Sequence, residues 1–403
     1  MKPIYKILIT LVVIIIVIFL SYFLWTKFFA PKSVTPQEPG TGVIITPPSD
    51  NNGQTGGGDN PPGGAPGTST PTTSNVDEYL FKKLSDKPAL AFWVSVTGNT
   101  AFYVSESGVV MEAKDGEDSV VSKQPISNFI SLEASPSGEK VILSFGSPSN
   151  IQLAIFDSVD KVLRPLPKEI LNASWAGTDN QLVGVTQQND VTLLSLINIS
   201  KQPYTYKTLV TNFSIKDALF STKSATEILI SEKPSSHSLS GVWQLDTDTG
   251  VMTLVVSPAL GSFIRWASGK DLMFKFASPN KFSILDRSFG EISPVLFTTL
   301  PNKCDGGLDV IYCFIPKDKG VFSNTNSMPD DYFMNNIFTS DDFYKISPSS
   351  GIESLIMAGG SGKIPVIDAD NVSYANSSTY FINKYDNYVY AIQKTTNEVI
   401  NDY

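Results

Sequence analysis

Few residues of this 403-residue chain are of types that carry chemistry, and two of these are its only cysteines, Cys304 and Cys313. They lie nine positions apart, with an Asp-Gly-Gly turn at residues 305–307 between them. Residues on either side of such a turn can become cross-strand neighbours in a hairpin, so these cysteines could form a disulfide. An oxidising compartment would favour that bond. Two buried, small apolar side chains are the alternative.

The remaining chemistry-bearing residues complete no catalytic or ligand-binding motif. The only histidine, His237, lies in a polar loop, and the chain has no Gly-x-Ser-x-Gly motif. Asp246 and Asp248 lack the spacing of a calcium loop. Residues 359–363 lack the first glycine and the final hydroxyl residue of a phosphate loop. The sequence therefore predicts no catalytic residue, no metal site and no cofactor. It favours binding over catalysis and leaves an enzymatic role open.

A polar insertion at residues 317–341 is the most unusual local feature. Long loops on a rigid scaffold often carry binding. Aromatic and methionine side chains suit the core of an interface. The alternative is that the same side chains cap the rim of their own domain. The predicted interaction residues are Asp330, Asp331, Tyr332, Phe333, Met334 and Phe338.

The sequence from residue 88 onward repeats. Four segments share a short strand, a polar turn and an apolar strand, and the residues before their turns are spaced by 41, 45 and 46 positions: Ala134, Trp175, Phe220 and Trp266. Units of about 40–45 residues with four short strands are typical of β-propeller blades. This pattern predicts an all-β propeller, best fitted by seven blades, with eight left open. The predicted units are 88–126, 127–170, 171–214, 215–260, 261–299, 300–365 and 366–403.

Two local elements complete the predicted propeller. A strand from residues 86–95 is expected beside the last unit to close the ring. Residues 76–84 are the one helix candidate, since helical periodicity is nearly absent elsewhere.

One repeat shows a family resemblance. The run SPSGEKVILSF at residues 135–145, with IQLAIFDSVDKVLRPL at 151–166, resembles the WD40-like repeat of TolB-type propellers. Those repeats read roughly Ser-Pro-Asp-Gly, and Ser137 stands in place of the aspartate. The C-terminal third, including Lys303-Cys304, Tyr312-Cys313 and 329–332, resembles uncharacterised membrane-anchored bacterial propeller proteins. The resemblance covers most of residues 88–403 and implies a fold and an envelope location, but no reaction.

Residues 1–30 read as an N-terminal transmembrane anchor. The stretch 7–25 has 19 residues without charge, and about 20 apolar residues span a bilayer core. A cleaved signal peptide, whose apolar run is usually about 7–15 residues, is the alternative. In the linker 31–76, Gly, Pro, Thr and Ser fill 30 of 46 positions, which predicts a disordered tether. The propeller domain, 78–403, carries all of the net charge of −9, because residues 1–77 are neutral.

The acidic domain argues against a nucleic-acid partner. We expect a single-pass cell-membrane protein with a cytoplasmic N-terminus, an extracytoplasmic propeller and the lipid bilayer contacted through residues 7–25. The predicted function is a binding or scaffold module for a protein or glycan partner in the cell envelope; the oligomeric state is not indicated. Two alternatives stay open: a propeller hydrolase or lyase acting on envelope polysaccharide or peptide, which would need paired carboxylates at the axis, and a structural assembly subunit.

Overall fold

The computed structural model describes residues 43–45 and 78–395, with gaps at 98, 114–116, 123, 223, 225 and 323–326. The predicted span at 7–25 and most of the predicted linker lie outside these residues. Within the described part of the chain, no helix has the length and apolarity needed to cross a membrane. The first two strands are β1 (Val43–Ile45), which falls within the predicted linker, and β2 (Glu78–Lys83). They pair antiparallel.

The described strands form seven sheets arranged as the blades of a propeller. Six sheets have four strands that lie side by side in chain order, and the seventh has five. The first strands of neighbouring blades contact one another, so they surround the central axis. The prediction of an all-β, seven-bladed propeller is therefore confirmed.

The strand bounds follow the predicted repeat units. Blade 1 contains β3 (Ala89–Ser95), β4 (Thr100–Ser105), β5 (Val110–Ala113) and β6 (Ser119–Val120). Blade 2 contains β7 (Phe129–Ala134), β8 (Lys140–Ser147), β9 (Asn150–Asp157) and β10 (Val162–Pro165). Blade 3 contains β11 (Ile170–Trp175), β12 (Gln181–Gln188), β13 (Val191–Asn198) and β14 (Thr205–Thr211). Blade 4 contains β15 (Leu219–Thr222), β16 (Glu227–Ser231), β17 (Leu239–Asp246) and β18 (Met252–Leu260).

The last three blades include the insertion and the ring closure. Blade 5 contains β19 (Phe263–Trp266), β20 (Met273–Ala277), β21 (Lys281–Leu285) and β22 (Glu291–Ser293). A 3-10 turn (Pro301–Lys303) leads into blade 6, which contains β23 (Cys304–Gly306), β24 (Ile311–Pro316), β25 (Asp341–Ile346) and β26 (Glu353–Ala358). One helical turn, α1 (Asp330–Phe333), lies between β24 and β25. Blade 7 contains β27 (Ala369–Ala375), β28 (Ser378–Asn383), β29 (Val389–Thr395), β2 and β1.

The ring is closed by β2, which pairs antiparallel with β29 and joins the start of the propeller to its end. Two local predictions were therefore wrong. Residues 76–84 were the helix candidate, yet burial in β2 alternates, with Tyr79, Phe81 and Lys83 buried, which is the period of a strand. The expected closing strand at 86–95 is instead the first strand of blade 1. A short apolar window does not distinguish a helix turn from a strand by pattern alone.

The apolar core lies between the blades. Seven clusters of buried side chains among the described residues each fill one interface between neighbouring blades. At the first interface, Trp93 of blade 1 meets Phe156 of blade 2 edge to face, with ring centroids 6.2 Å apart. An eighth cluster packs the insertion residues Phe322, Met328 and Tyr332 against blade 5. The ring is thus a closed chain of interfaces that fixes the position of each loop.

Antiparallel strands give the propeller two different faces. The connections between blades and the loops joining second to third strands lie at one face. We call it the insertion face, because the loop between β24 and β25 lies there. The loops joining first to second and third to fourth strands lie at the opposite face, which we call the hairpin face.

Candidate functional site

The insertion is fastened to the propeller by a buried cationic side chain. Lys303 lies in the turn before β23, and its Nζ is 2.6 Å from Asp341 Oδ2 and 2.6 Å from Asp368 Oδ1. It also donates to Thr339 Oγ1 at 2.9 Å. The lysine and both aspartate side chains have no solvent exposure. Burial alone lowers the pKa of Lys303, but the charges of the two aspartates outweigh it and raise that pKa above its usual value.

Tyr332 joins this cluster from helix α1. Its hydroxyl donates to Asp368 Oδ1 at 2.9 Å, and only 1% of the residue is exposed. Lys384 Nζ lies 3.5 Å from the centroid of the tyrosine ring and donates to the carbonyl oxygen of Tyr332 at 3.1 Å. Asp368 precedes β27, and Lys384 follows β28, so both belong to the insertion-face side of blade 7. Of the six predicted interaction residues, Tyr332 is thus an anchor that is hidden from solvent.

Helix α1 is also tied to blade 4. The Asp330 carboxylate accepts hydrogen bonds from Ser236 N–H at 2.9 Å and Ser236 Oγ at 2.7 Å. Ser236 lies in the loop that also carries His237. Asp331 Oδ1 accepts a hydrogen bond from Asn336 Nδ2 at 3.2 Å, within the insertion itself. The insertion of blade 6 therefore packs on blade 5 and is held on blade 7 and on blade 4.

Three apolar side chains remain exposed on this fastened insertion. Phe333 is 43% exposed, Met334 62% and Phe338 44%. Phe333 contacts Phe263 of blade 5 edge to face, with centroids 5.5 Å apart, and Phe338 lies 5.6 Å from the ring of Tyr385. A groove of about 750 Å³ runs between the insertion and blade 4. Its lining includes Leu219, Phe263, Phe333 and Met334 with Lys233, His237, Asp330 and Asp331.

The two cysteines lie directly beside this anchor. Cys304 follows Lys303 and pairs with Cys313 across β23 and β24. Their Cα atoms are 4.2 Å apart, and the sulfurs are bonded. Both side chains are fully buried at the interface with blade 5. The bond therefore holds the strand that begins immediately after the anchoring lysine.

Sequence reasoning missed a second site, in the axial cavity. The first strands enclose about 850 Å³. Glu133 of β7 lines it, accepting hydrogen bonds from Ser174 Oγ at 2.5 Å and Trp175 N–H at 3.2 Å. Burial raises the pKa of Glu133 to about 7, against the lowering effects of those hydrogen bonds and of Lys270. Arg265 and Lys270 of blade 5 line the same cavity.

A signal for this site was present in the repeats. Ala134 and Trp266 are two of the residues that precede the polar turns of the repeats. Glu133 and Arg265 stand directly before them and so occupy the same position in their units. Their meeting at one cavity depends on ring closure. In the described residues, no group of three or more His, Cys, Asp or Glu side chains is placed to hold a metal ion.

Comparisons with known proteins show the fold and leave the activity open. No protein-family model matches the sequence, and no curated protein matches it. The structure is similar to an oligogalacturonate lyase in complex with manganese, with TM-score 0.50, 9% identity and coverage of 89% of this chain and 99% of that one. It is also similar to the oligogalacturonate lyase of Vibrio parahaemolyticus, with TM-score 0.50, 8% identity and coverage of 80% and 94%.

The Cps50 (Swd1) propeller domain of Myceliophteria thermophila gives TM-score 0.48 and 9% identity, with coverage of 78% and 100%. The fold defines this chain as a seven-bladed β-propeller, and the predicted resemblance to propeller proteins is confirmed at the level of the fold.

Proposed function

We propose that this chain is a membrane-anchored binding module that holds an apolar segment of a partner protein in the groove of its insertion face. One observation carries the proposal. The insertion is fixed by a buried ionic cluster, yet it keeps Phe333, Met334 and Phe338 at the surface. Aromatic and methionine side chains held at a rigid surface are typical of interface cores.

The insertion is much longer than a loop that only joins two strands of a blade, and this length supports a binding role. Between the second and third strands, blade 2 has a two-residue loop, 148–149, and blade 3 has 189–190. The corresponding segment of blade 6 runs from 317 to 340, which is 24 residues. Desolvating the ions that fasten it costs several kcal/mol per ion, which close pairing must offset. Such support is expected for a loop whose position matters to a partner.

The groove is lined by the apolar side chains of Leu219, Phe263, Phe333 and Met334, which suit an apolar protein segment better than a glycan. The hydrolase or lyase alternative required carboxylates converging on the axis. Among the described residues that line the cavity, Glu133 is the one carboxylate. That arrangement does not favour two-carboxylate chemistry.

Site-specific photocrosslinking tests the proposal in the full-length protein in its own membrane. A photoreactive residue replaces Met334 in one variant and Leu308 in a matched control. Leu308 is 60% exposed, similar to Met334, but lies on the hairpin face. We expect a defined protein adduct at 334 that is absent at 308. Phe333→Ser should then weaken binding of that identified, purified partner at least about tenfold, while Leu308→Ser leaves it unchanged. Equal adducts at both positions, or lipid adducts alone at 334, would contradict the proposal.

A further inference from the structure

The axial cavity is lined by more cationic than anionic side chains, whereas the protein as a whole is acidic. Among the described residues of its lining, Arg265 and Lys270 are the cationic side chains and Glu133 is the one carboxylate. Burial lowers the pKa of Lys270, and the nearby charge of Glu133 raises it. The pKa of that carboxyl, raised by burial to about 7, leaves it only partly ionised at neutral pH. The chain as a whole has a net charge of −9. A positive cavity inside an acidic protein is an environment that favours an anionic ligand.

The guanidinium of Arg265 extends across the channel. Its Nη2 donates to the carbonyl oxygen of Val372 at 2.8 Å, which links blade 5 to blade 7 past blade 6. This hydrogen bond uses one of the five N–H donors of an arginine. The planar fork of the guanidinium matches the geometry of a carboxylate.

Two buried polar atoms of the lining have no protein partner among the described residues. They are Trp93 Nε1, a donor, and Asn302 Oδ1, an acceptor. Both residues line the cavity, and a buried polar group without a hydrogen bond costs about 1–3 kcal/mol. Both atoms are buried from solvent, so neither is counted as a contact for a ligand in the cavity.

The lining also includes seven aromatic residues and three asparagines among small, aliphatic and hydroxyl side chains. Phe220, Phe263 and Tyr374 are partly exposed, and the other four aromatic residues are buried. Flat aromatic faces pack against the C–H faces of sugar rings, and amides pair with hydroxyl groups. Asn376 Nδ2 is held by the carbonyl oxygen of Val96 at 3.0 Å, which fixes one such amide at the cavity edge. The aromatic residues of the lining are Phe92, Trp93, Trp175, Phe220, Trp266 and Tyr374, together with Phe263.

We infer that the axial cavity binds a carboxylate-bearing saccharide, a hexuronate or a short uronide, with its carboxylate towards Arg265 and Lys270. The volume of about 850 Å³ lies within the usual range of roughly 300–1,000 Å³ for ligand sites. Residues 268–270 and 306–307 of the lining lie at the hairpin face, while Phe263 lines both this cavity and the insertion groove. The two proposals can still fail independently, because Arg265 and Lys270 line the cavity and not the groove, whereas Phe333 and Met334 line the groove and not the cavity.

Binding of a charged sugar and its neutral counterpart tests the inference. The full-length protein is titrated with methyl β-D-glucuronide and with methyl β-D-glucoside, followed by calorimetry and by tryptophan fluorescence. We expect saturable binding of the glucuronide, with the glucoside at least about tenfold weaker. Lys270→Met should reduce glucuronide affinity about tenfold and leave the glucoside unchanged. Lys281→Met, at an exposed position on the outer part of blade 5, is the matched control.

Two results with the unaltered protein would overturn the inference. One is equal affinity for the two sugars. The other is no binding of the glucuronide at about 10 mM, a concentration that detects even weak ligands. If Lys270→Met does not give a folded protein, Arg265→Gln provides the second variant. The thermal transition of each variant shows whether lost affinity reflects lost folding, and unchanged glucuronide affinity in a folded variant also overturns the assignment.

Discussion

Lys303 Nζ and Asp368 Oδ1 lie 2.6 Å apart with no exposure to solvent, and this pair joins the turn before blade 6 to the start of blade 7. Thr339 of the insertion bonds to both residues. The carboxylate of Asp368 also accepts a hydrogen bond from the hydroxyl of Tyr332. Blade 6, its insertion and blade 7 are thereby held by one buried ionic contact, and the exposed residues beside it keep a fixed position.

Removing the lysine should strongly destabilise the protein. Lys303→Met leaves the buried carboxylate of Asp341 without its cation and Asp368 with only Lys384, 3.9 Å away. Breaking such a cluster costs about 3–5 kcal/mol. Denaturant unfolding of the two proteins measures this difference. Lys281→Met is the control, because its exposed pair with Glu291 is worth about 0–1 kcal/mol. Equal destabilisation by the two changes would contradict a structural role for the cluster.

The axial carboxyl should make stability depend on pH. The folded pKa of Glu133 is raised to about 7 from an ordinary value of 4.5. The unfolded state therefore loses this proton first, and stability should fall as pH rises from about 4.5 to 7 and then level off. The contribution is at most about 3 kcal/mol. Glu133→Gln should flatten this part of the profile measured by chemical denaturation, and an unchanged slope in that variant would argue against the assignment.

The disulfide should stabilise the protein, because it restricts a short loop in the unfolded chain. The bond between Cys304 and Cys313 closes a segment of nine positions, for which loop entropy predicts about 2–3 kcal/mol. Replacing both cysteines by alanine should lower the free energy of unfolding by about this amount. Reduction of the unaltered protein should have a similar effect, while the double variant should be insensitive to reductant. A double variant as stable as the parent would show that the bond contributes nothing.

Ring closure should depend on the alternating buried side chains of β2. Phe81 is 2% exposed and stacks on Tyr390 of β29 at 5.2 Å. Phe81→Ala should cost about 3–5 kcal/mol. Leu80→Ala, on the less buried side of the same strand, should cost clearly less. Thermal unfolding of both variants distinguishes a closing strand from a peripheral one, since the latter would give equal and small effects.

The blade boundaries could be read from the sequence because each blade repeats one pattern of strands and turns. Glu78–Lys83 was assigned the wrong type because its partner, β29, lies more than 300 positions away. Tyr332 and Phe333 are adjacent aromatic residues, yet one is buried and the other exposed. The sequence does not show which of the two is buried, because this depends on how helix α1 lies on the propeller. Glu133 and Arg265 share a repeat position, but their convergence depends on the closed ring.

Hydroxyl-radical footprinting of the unaltered protein tests the central claim most directly. Side-chain oxidation of Met334 and Leu308 is compared between the purified protein and intact membranes. A partner seated on the insertion face predicts that Met334 is protected at least several-fold in membranes, while Leu308 on the hairpin face reacts equally in both. Equal reactivity of Met334 in the two preparations would contradict the account.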